Sequence, residues 1–270
     1  MENFYDVVMG RKSVRSFDGR PLTPDDRAKL EAYIAALDNP FGVPVRFALL
    51  DAKEQGLSSP VLTGDTLYVA GLAGEAPHWE AAYGYAFETL LLYAWSLGVG
   101  SVWIGGTMKR ELFEKAAGRA AGERMPCVSP LGYPSGKRSI KETLMRKGIG
   151  ADLRKPVNEL FFDGDFTAPL SPAGEEARLM EAVRWAPSAV NKQPWRILRQ
   201  GKLWHFYEKH DGSGFIHPET GDLQKIDVGI ALAHFMLGAE AAGLPAALVL
   251  EDPGVAPPPE TEYVASVRLK

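Results

Sequence analysis

The stretch Ala186-Pro-Ser-Ala-Val-Asn-Lys-Gln-Pro-Trp195 is the part of the chain from which the rest is best interpreted. It follows an amphipathic run, 175–185, whose apolar residues recur at helical spacing. Pro187 predicts the end of that helix, because proline lacks the amide donor and disfavours helical geometry in the residue before it. A plain connector needs neither a second proline nor polar residues such as Ser188 and Asn191. These ten residues alone leave two interpretations open, a ligand-contacting loop and a rigid connector.

Length and composition are those of an ordinary globular protein. The 270 residues are 46% hydrophobic and 24% charged, which suits one large domain or two of about 130 residues. The formal net charge of -4 gives no electrostatic reason to expect binding to nucleic acid or to an anionic membrane. Cys127 is the only cysteine, so a reducing compartment is expected.

Targeting signals are not evident in the sequence. The first residues are acidic and contain no apolar core of the kind found in signal peptides. The most apolar stretch, 86–104, contains Glu88 and is interrupted by Gly98 and Gly100, so we expect a buried helix and a strand there rather than a membrane span. The sequence therefore predicts a cytoplasmic protein.

The second half of the sequence repeats the first. The run 11–14, Arg-Lys-Ser-Val, is echoed by 154–157, Arg-Lys-Pro-Val, and a Gly at 84 is matched by a Gly at 229 within similar apolar runs. The offset is 143 residues at the first match and 145 at the second. A nearly constant offset indicates duplication of a supersecondary unit, with repeats at 1–150 and 151–270 that we expect to pack as one unit.

The secondary-structure pattern favours an α+β fold. Long helices are predicted at 81–97 and 226–242, and both are apolar on nearly all sides, as expected for buried central helices. They are mixed with short strands without a regular strand–helix alternation. The strands are expected at 46–50, 67–72, 101–104, 127–131, 195–198 and 262–270.

Four short motifs occur along the chain and together span most of it: Arg-x-Ser-x-Arg at 11–15, Trp-Ile-Gly-Gly at 103–106, Gly-Tyr-Pro…Lys-Arg at 132–138, and the Pro-Ser-x-x-Asn loop within 186–195. In this order they resemble the FMN-dependent nitroreductase family, and more closely its internally duplicated branch. The resemblance implies a nitroreductase-like fold. Family members are usually homodimers with flavin sites at the subunit interface. The two repeats would therefore form an intrachain pseudo-dimer around the central helices.

The resemblance also implies which residues bind the flavin. In the family, one subunit supplies the segments that correspond to residues 11–15, called the basic start, and 105–106, called the Gly-Gly loop. The other subunit supplies the Pro-Ser loop. Here the repeats have complementary losses, since Pro156 stands where Ser13 does and Asn158 where Arg15 does. One flavin site is therefore expected to be intact and the other lost. The residues implied to bind FMN are Arg11, Lys12, Ser13, Arg15, Gly105, Gly106, Lys137, Arg138, Pro187, Ser188, Ala189 and Asn191.

The chemistry of these residues suits a flavin. An arginine fork binds phosphate oxygens well, which makes Arg11 with Ser13 the candidate phosphate site. Arg15 corresponds to a cation near N1, where reduced flavin carries negative charge. Gly105 and Gly106 permit close backbone approach to N5. Taken singly, the basic run is better explained as a solvated edge, and the glycine pair as a strand-to-helix turn.

The function implied by the resemblance is an oxidoreductase in which NAD(P)H reduces bound FMN and the flavin reduces a small electron-poor acceptor, a nitroaromatic or a quinone. Two alternatives stay open: oxygen-dependent flavin chemistry as in cobalamin lower-ligand synthesis, and flavin binding or sensing without turnover. No Gly-x-Gly-x-x-Gly follows a strand, so NAD(P)H is expected as a diffusing co-substrate. The histidines show no metal-ligand spacing, so no metal is predicted. A monomer acting as a pseudo-dimer is expected, and further association of such monomers is left open.

Overall fold

The computed structural model describes residues 3–136, 143, 148, 150, 153–171 and 173–270. The elements of the first half are α1 (Phe4–Gly10), α2 (Pro24–Ala36), β1 (Val45–Asp51), β2 (Leu67–Gly74), α3 (Trp79–Ser96), α4 (Arg110–Ala116), β3 (Glu123–Arg124) and β4 (Val128–Leu131). Those of the second half are α5 (Val157–Leu160), β5 (Phe161–Asp163), β6 (Asp165–Pro169), α6 (Gly174–Arg184), β7 (Trp195–Gln200), β8 (Leu203–Lys209), β9 (Ile216–His217), β10 (Gly221–Asp222), α7 (Leu223–Ala241), β11 (Ala246–Val249) and β12 (Thr261–Leu269).

Each half builds its own sheet. In the first half, β2 pairs antiparallel with β1 along one edge and with β3 and β4 along the other. In the second half the strand order is β11-β12-β8-β7-β5-β6, and the β5–β7 pair is parallel whereas the other pairs are antiparallel. β9 and β10 form a separate small hairpin between β8 and α7.

The central helices α3 and α7 cross at two glycines. A Cβ atom placed on Gly84 would lie 2.0 Å from the carbonyl oxygen of Ile226, and one placed on Gly229 would lie 2.1 Å from that of Ala81. The offset of 145 residues relates Gly84 to Gly229 and Ala81 to Ile226. The contact is therefore reciprocal, as in an interface with two-fold symmetry. Only glycine permits so close an approach of the two backbones.

One hydrophobic core joins the halves. A single buried cluster contains Val69 of the first sheet, Phe206 of the second sheet, and Phe87 and Phe235 of the two central helices. The predicted α+β fold around central helices is confirmed. The predicted boundary between residues 150 and 151 adjoins residues outside the described part of the chain, and it stays a prediction.

Two further findings concern the predicted strands and spans. Residues 101–104 form isolated bridges rather than the predicted strand, since Ser101 pairs with Ser13 and Ile104 with Val128. These residues thereby hold the extended basic start beside the Gly-Gly loop. Among the described helices, none combines the length and apolarity needed to cross a bilayer.

Candidate active site

A cavity of about 570 Å³ lies between the two halves, within the size range of small-molecule sites. It brings together elements that are far apart in the sequence: the basic start, the Gly-Gly loop and the Pro-Ser loop. The predicted residues that line it are Ser13, Arg15, Gly105, Gly106, Pro187, Ser188 and Ala189.

Arg11 lies instead beside a buried carboxylate. Its side chain is 6% exposed, and its Nε lies 3.3 Å from Oε1 of Glu88. The indole of Trp103 donates to Oε2 of Glu88 at 2.8 Å, and His234 Nε2 lies 3.2 Å from Oε1. Burial raises the pKa of Glu88, but Arg11, His234 and Trp103 together lower it below its ordinary value. Arg11 does not line the cavity, so its predicted phosphate contact stays a prediction.

Two further predicted residues, Asn191 and Lys12, also lie apart from the cavity lining. Asn191 donates through Nδ2 to the carbonyl oxygens of Gly150 at 2.7 Å and Leu153 at 2.9 Å, so its amide stabilises the chain entering the second half. Lys12 is exposed and does not line the cavity. Two predicted residues are outside the described part of the chain: Lys137 and Arg138.

The Gly-Gly loop is fixed by Arg110, which the sequence analysis did not single out. Its Nη2 donates to the carbonyl oxygens of Gly105 at 2.7 Å and Pro126 at 3.2 Å. The Gly105 C=O and the Gly106 N–H belong to the same peptide group and point in opposite directions. The Gly106 N–H is therefore held on the side away from Arg110. Within the described residues, neither Gly105 N–H nor Gly106 N–H has a backbone acceptor. The loop thus offers amide donors at the cavity wall.

The Pro-Ser loop has an unusual backbone. Val190, Asn191 and Gln193 all have positive φ, and Val190, at φ 43°, is β-branched and 56% exposed. A β-branched residue in this region is an outlier, and such outliers cluster at ligand-contacting sites. The Gln193 N–H donates to Ser188 Oγ at 2.9 Å, which holds the turn. This conformation favours a ligand-contacting loop over a simple connector.

Two groups of cavity residues were missed from the sequence. The first is a face of α7 that includes Asp227, and an acid flanked by the apolar residues Ile226 and Val228 was a usable signal. The second is the connection 210–222, which is much longer than its counterpart 75–78 between β2 and α3. It contributes Phe215, His217 and Glu219 to the lining. Its small hairpin had no clear pattern in the sequence.

Histidine spacing predicted no metal site, yet folding brings three ligand-type residues together. The potential ligand atoms of Glu208, His210 and Glu262 lie within 4.8 Å of one another. Lys225 Nζ lies 3.2 Å from Glu262 Oε1 and supplies positive charge among these carboxylates. Burial, with nearby Asp222, raises the pKa of Glu208 to about 8. We therefore assign no metal to this cluster.

The structure defines the class of protein as an α+β fold of two halves around crossing helices, with one cavity between a basic, glycine-rich side and a Pro-Ser loop. Comparison with known proteins identifies the group more closely. The family model described as "Putative TM nitroreductase" matches residues 3–239, and the chain belongs to this family. No match was found among curated proteins.

One solved structure supports the fold assignment, and two others are similar over about half of this chain. A "putative nitroreductase" from Thermotoga maritima is 19% identical with a TM-score of 0.63, over 99% of this chain and 93% of its own. A "Putative NADH dehydrogenase/NAD(P)H nitroreductase" from Parabacteroides distasonis is 24% identical with a TM-score of 0.43, over 52% of this chain and 91% of its own. An "FMN-dependent Nitroreductase" from Clostridium difficile is 16% identical with a TM-score of 0.42, over 49% and 88%. At 19% identity, the likeness to the Thermotoga maritima structure concerns the fold alone.

Proposed function

We propose that this protein is an FMN-dependent oxidoreductase that takes reducing equivalents from NAD(P)H and passes them to an electron-poor acceptor such as a nitroaromatic or a quinone. The observation that carries the proposal is the cavity between the halves, where Arg15 and the Gly-Gly loop face the Pro-Ser loop. Family membership supports it, and the names of two similar structures mention FMN and NAD(P)H.

The residues of the cavity fit a flavin. Ser13 would bind the phosphate, and Arg15 would stabilise the negative charge that a reduced flavin ring carries. The Gly106 amide, held away from Arg110, is a donor for the ring edge, and a Cβ on Gly106 would meet no protein atom within 4 Å, so the approach is open. When bound, the flavin supplies hydride-transfer chemistry, while the chain supplies orientation and charge.

We also propose one flavin per chain, in a site shared by two halves that arose by duplication. The loop of the first half that corresponds to the Pro-Ser loop lines a smaller cavity of about 310 Å³. All residues lining that cavity belong to the first half. Arg154, the counterpart of Arg11, lies 4.6 Å over the ring of Trp185 instead, and Asn158 is not in the lining. The smaller cavity is thus lined from one side only, which supports the proposal of a single site.

The test is the amount of FMN released on denaturation per mole of chain. We expect a ratio near one, and we expect Ser188→Trp to abolish binding by filling the cavity. Asp38→Trp, which places the same bulk in the smaller cavity, is the matched control and should leave the ratio unchanged. A ratio near two, or full flavin content in Ser188→Trp, would contradict the proposed site. Anaerobic addition of NADH or NADPH should bleach the flavin. A yellow protein that neither reductant bleaches would be a flavin-binding protein without this activity.

A further inference from the structure

Asp227 is a polar exception on an apolar wall of the cavity. The residues of α7 that line the cavity lie at helical spacing, and those beside Asp227 are Leu223, Ile226 and Ile230. Asp227 is 3% exposed. The offset of 145 places Ala82 at the corresponding position of α3, so the other half has no carboxyl group there. The acid therefore belongs to this cavity and not to the shared framework of the two halves.

The surroundings of Asp227 favour its neutral form. Burial raises its pKa well above the ordinary aspartate value; the Ala189 N–H opposes this, whereas Asp222 and Glu208 add to it. Cys127, which also lines the cavity, is near enough to interact with Asp227, and burial raises the pKa of its thiol too. Among the described residues no cation is paired with Asp227. A buried carboxyl group without a paired cation favours its protonated form.

A neutral carboxyl group has one O–H to donate, and this O–H needs an acceptor. The Ala189 nitrogen lies 3.1 Å from Oδ1 and 3.0 Å from Oδ2 of Asp227. Its N–H can therefore donate to whichever of the two oxygens carries no proton. The Ala189 N–H is the hydrogen-bond partner of Asp227 within the described part of the chain, and the Asp227 side chain also lines the cavity. Buried donors are nearly always bonded. An atom of a molecule in the cavity can therefore accept from this O–H.

We infer that Asp227 is a carboxylic-acid donor that binds the carbonyl or nitro oxygen of the electron acceptor and gives it a proton during reduction. The inference rests on the proposed function. For a quinone, the acceptor gains a hydride that originates in the dihydronicotinamide and a proton that leaves the Asp227 carboxyl. The quinone becomes a hydroquinone, and the dihydronicotinamide becomes the oxidised nicotinamide. The Asp227 carboxylate then recovers a proton from water.

The binding part of this inference can be tested without turnover. Infrared difference spectra of the flavin-loaded protein would be recorded at pH 6 with and without acetophenone, an aromatic ketone used as a carbonyl probe. We expect the ketone to shift a carboxylic-acid C=O band, and the shift to be absent in Asp227→Asn. Glu208→Gln is the matched control: Glu208 is also a buried acid with a raised pKa, but it does not line the cavity, so the shift should remain. No shift in the wild-type protein, or a shift that survives in Asp227→Asn, would overturn the inference.

The proton-transfer part needs the two half-reactions measured separately. Asp227→Asn keeps an oxygen for the Ala189 N–H, so the Pro-Ser loop should hold. Reoxidation of the reduced protein by 1,4-benzoquinone should slow by roughly 100-fold, the usual effect of losing a general acid. Equal reoxidation rates in the two proteins would overturn the role of Asp227 while leaving the proposed function intact. If the dihydronicotinamide failed to bleach wild-type flavin, the proposed function itself would fail, and the infrared result would still decide on the donor.

Discussion

The helix crossing offers a prediction whose size follows from the geometry. Gly229→Ala would place a Cβ atom 2.1 Å from the carbonyl oxygen of Ala81, where ordinary contact begins at 3.4 Å. The atom in the way is backbone, so no side chain can rotate to make room, and the two helices must separate. Overpacking of this kind costs about 3 kcal/mol, and the better helix propensity of alanine returns about 1 kcal/mol. A net loss of about 2 kcal/mol corresponds to a lowering of Tm by roughly 4–8 °C.

The assay is thermal unfolding of three proteins, wild type, Gly229→Ala and Gly238→Ala. Gly238 lies on the same helix and gains the same propensity, but a Cβ there would meet only side-chain atoms, Leu179 Cδ2 at 3.1 Å and Phe4 Cε1 at 3.2 Å. These side chains can adjust by a few tenths of an ångström, so the loss should be much smaller. Gly84→Ala should behave like Gly229→Ala, since its Cβ would meet the Ile226 carbonyl oxygen. If Gly229→Ala were as stable as Gly238→Ala, the close backbone crossing would be refuted.

Three further predictions concern charged groups. Glu88→Gln should destabilise the fold by about 3–5 kcal/mol, because it leaves Arg11 buried without its carboxylate. Since the pKa of Glu88 is lowered in the folded state, the extra stability of the wild type should be present above pH 4.5 and should fall on further acidification. Urea unfolding at several pH values measures this difference. Because the pKa of Glu208 is raised to about 8, the folded state keeps this proton to a higher pH than the unfolded chain does. The free energy of unfolding should therefore decline as pH rises from about 4.5 to about 8. Thermal unfolding of Glu208→Gln over the same pH range should show a smaller decline. Arg15→Ala should lower the reduction potential of bound flavin by about 30 mV, which corresponds to about 1.4 kcal/mol in a two-electron couple. Substitution of the exposed Lys12 by alanine is the control and should leave the potential unchanged. If potentiometric titration gave an unchanged potential in Arg15→Ala, its proposed role would be removed.

The fold was largely predictable because its strongest signals are local. The helices predicted at 81–97 and 226–242 are observed at Trp79–Ser96 and Leu223–Ala241, and continuous apolar runs of that length have few alternatives. Proline and glycine marked most of the boundaries. The glycine pair at 84 and 229, noted as a sequence match, turned out to be the crossing point of the two helices.

The site was less predictable because its contacts are between distant residues. Nothing near Arg11 in the sequence indicates that it pairs with Glu88, which belongs to another helix. The same holds for Arg110 and the carbonyl oxygen of Pro126. The strand expected at 101–104 has the right residues, but its partners are single positions in separate segments, so only isolated bridges form. The resemblance implied that Ser13, Arg15 and the two loops share one site, and residues of all these segments line one cavity, whereas flavin binding there stays a prediction.

The reciprocal crossing of α3 and α7 has a consequence for how this protein can vary. In a homodimer one gene encodes both sides of the interface, so any codon change enters both sites together. Here the two sides of the crossing are separate positions of one reading frame and can accept different residues. Asp227 on one helix, with Ala82 at the equivalent position of the other, is such a difference, one that a homodimer could not encode. A symmetric framework on a single chain can thus carry chemistry that is asymmetric, and each half can be altered without the other.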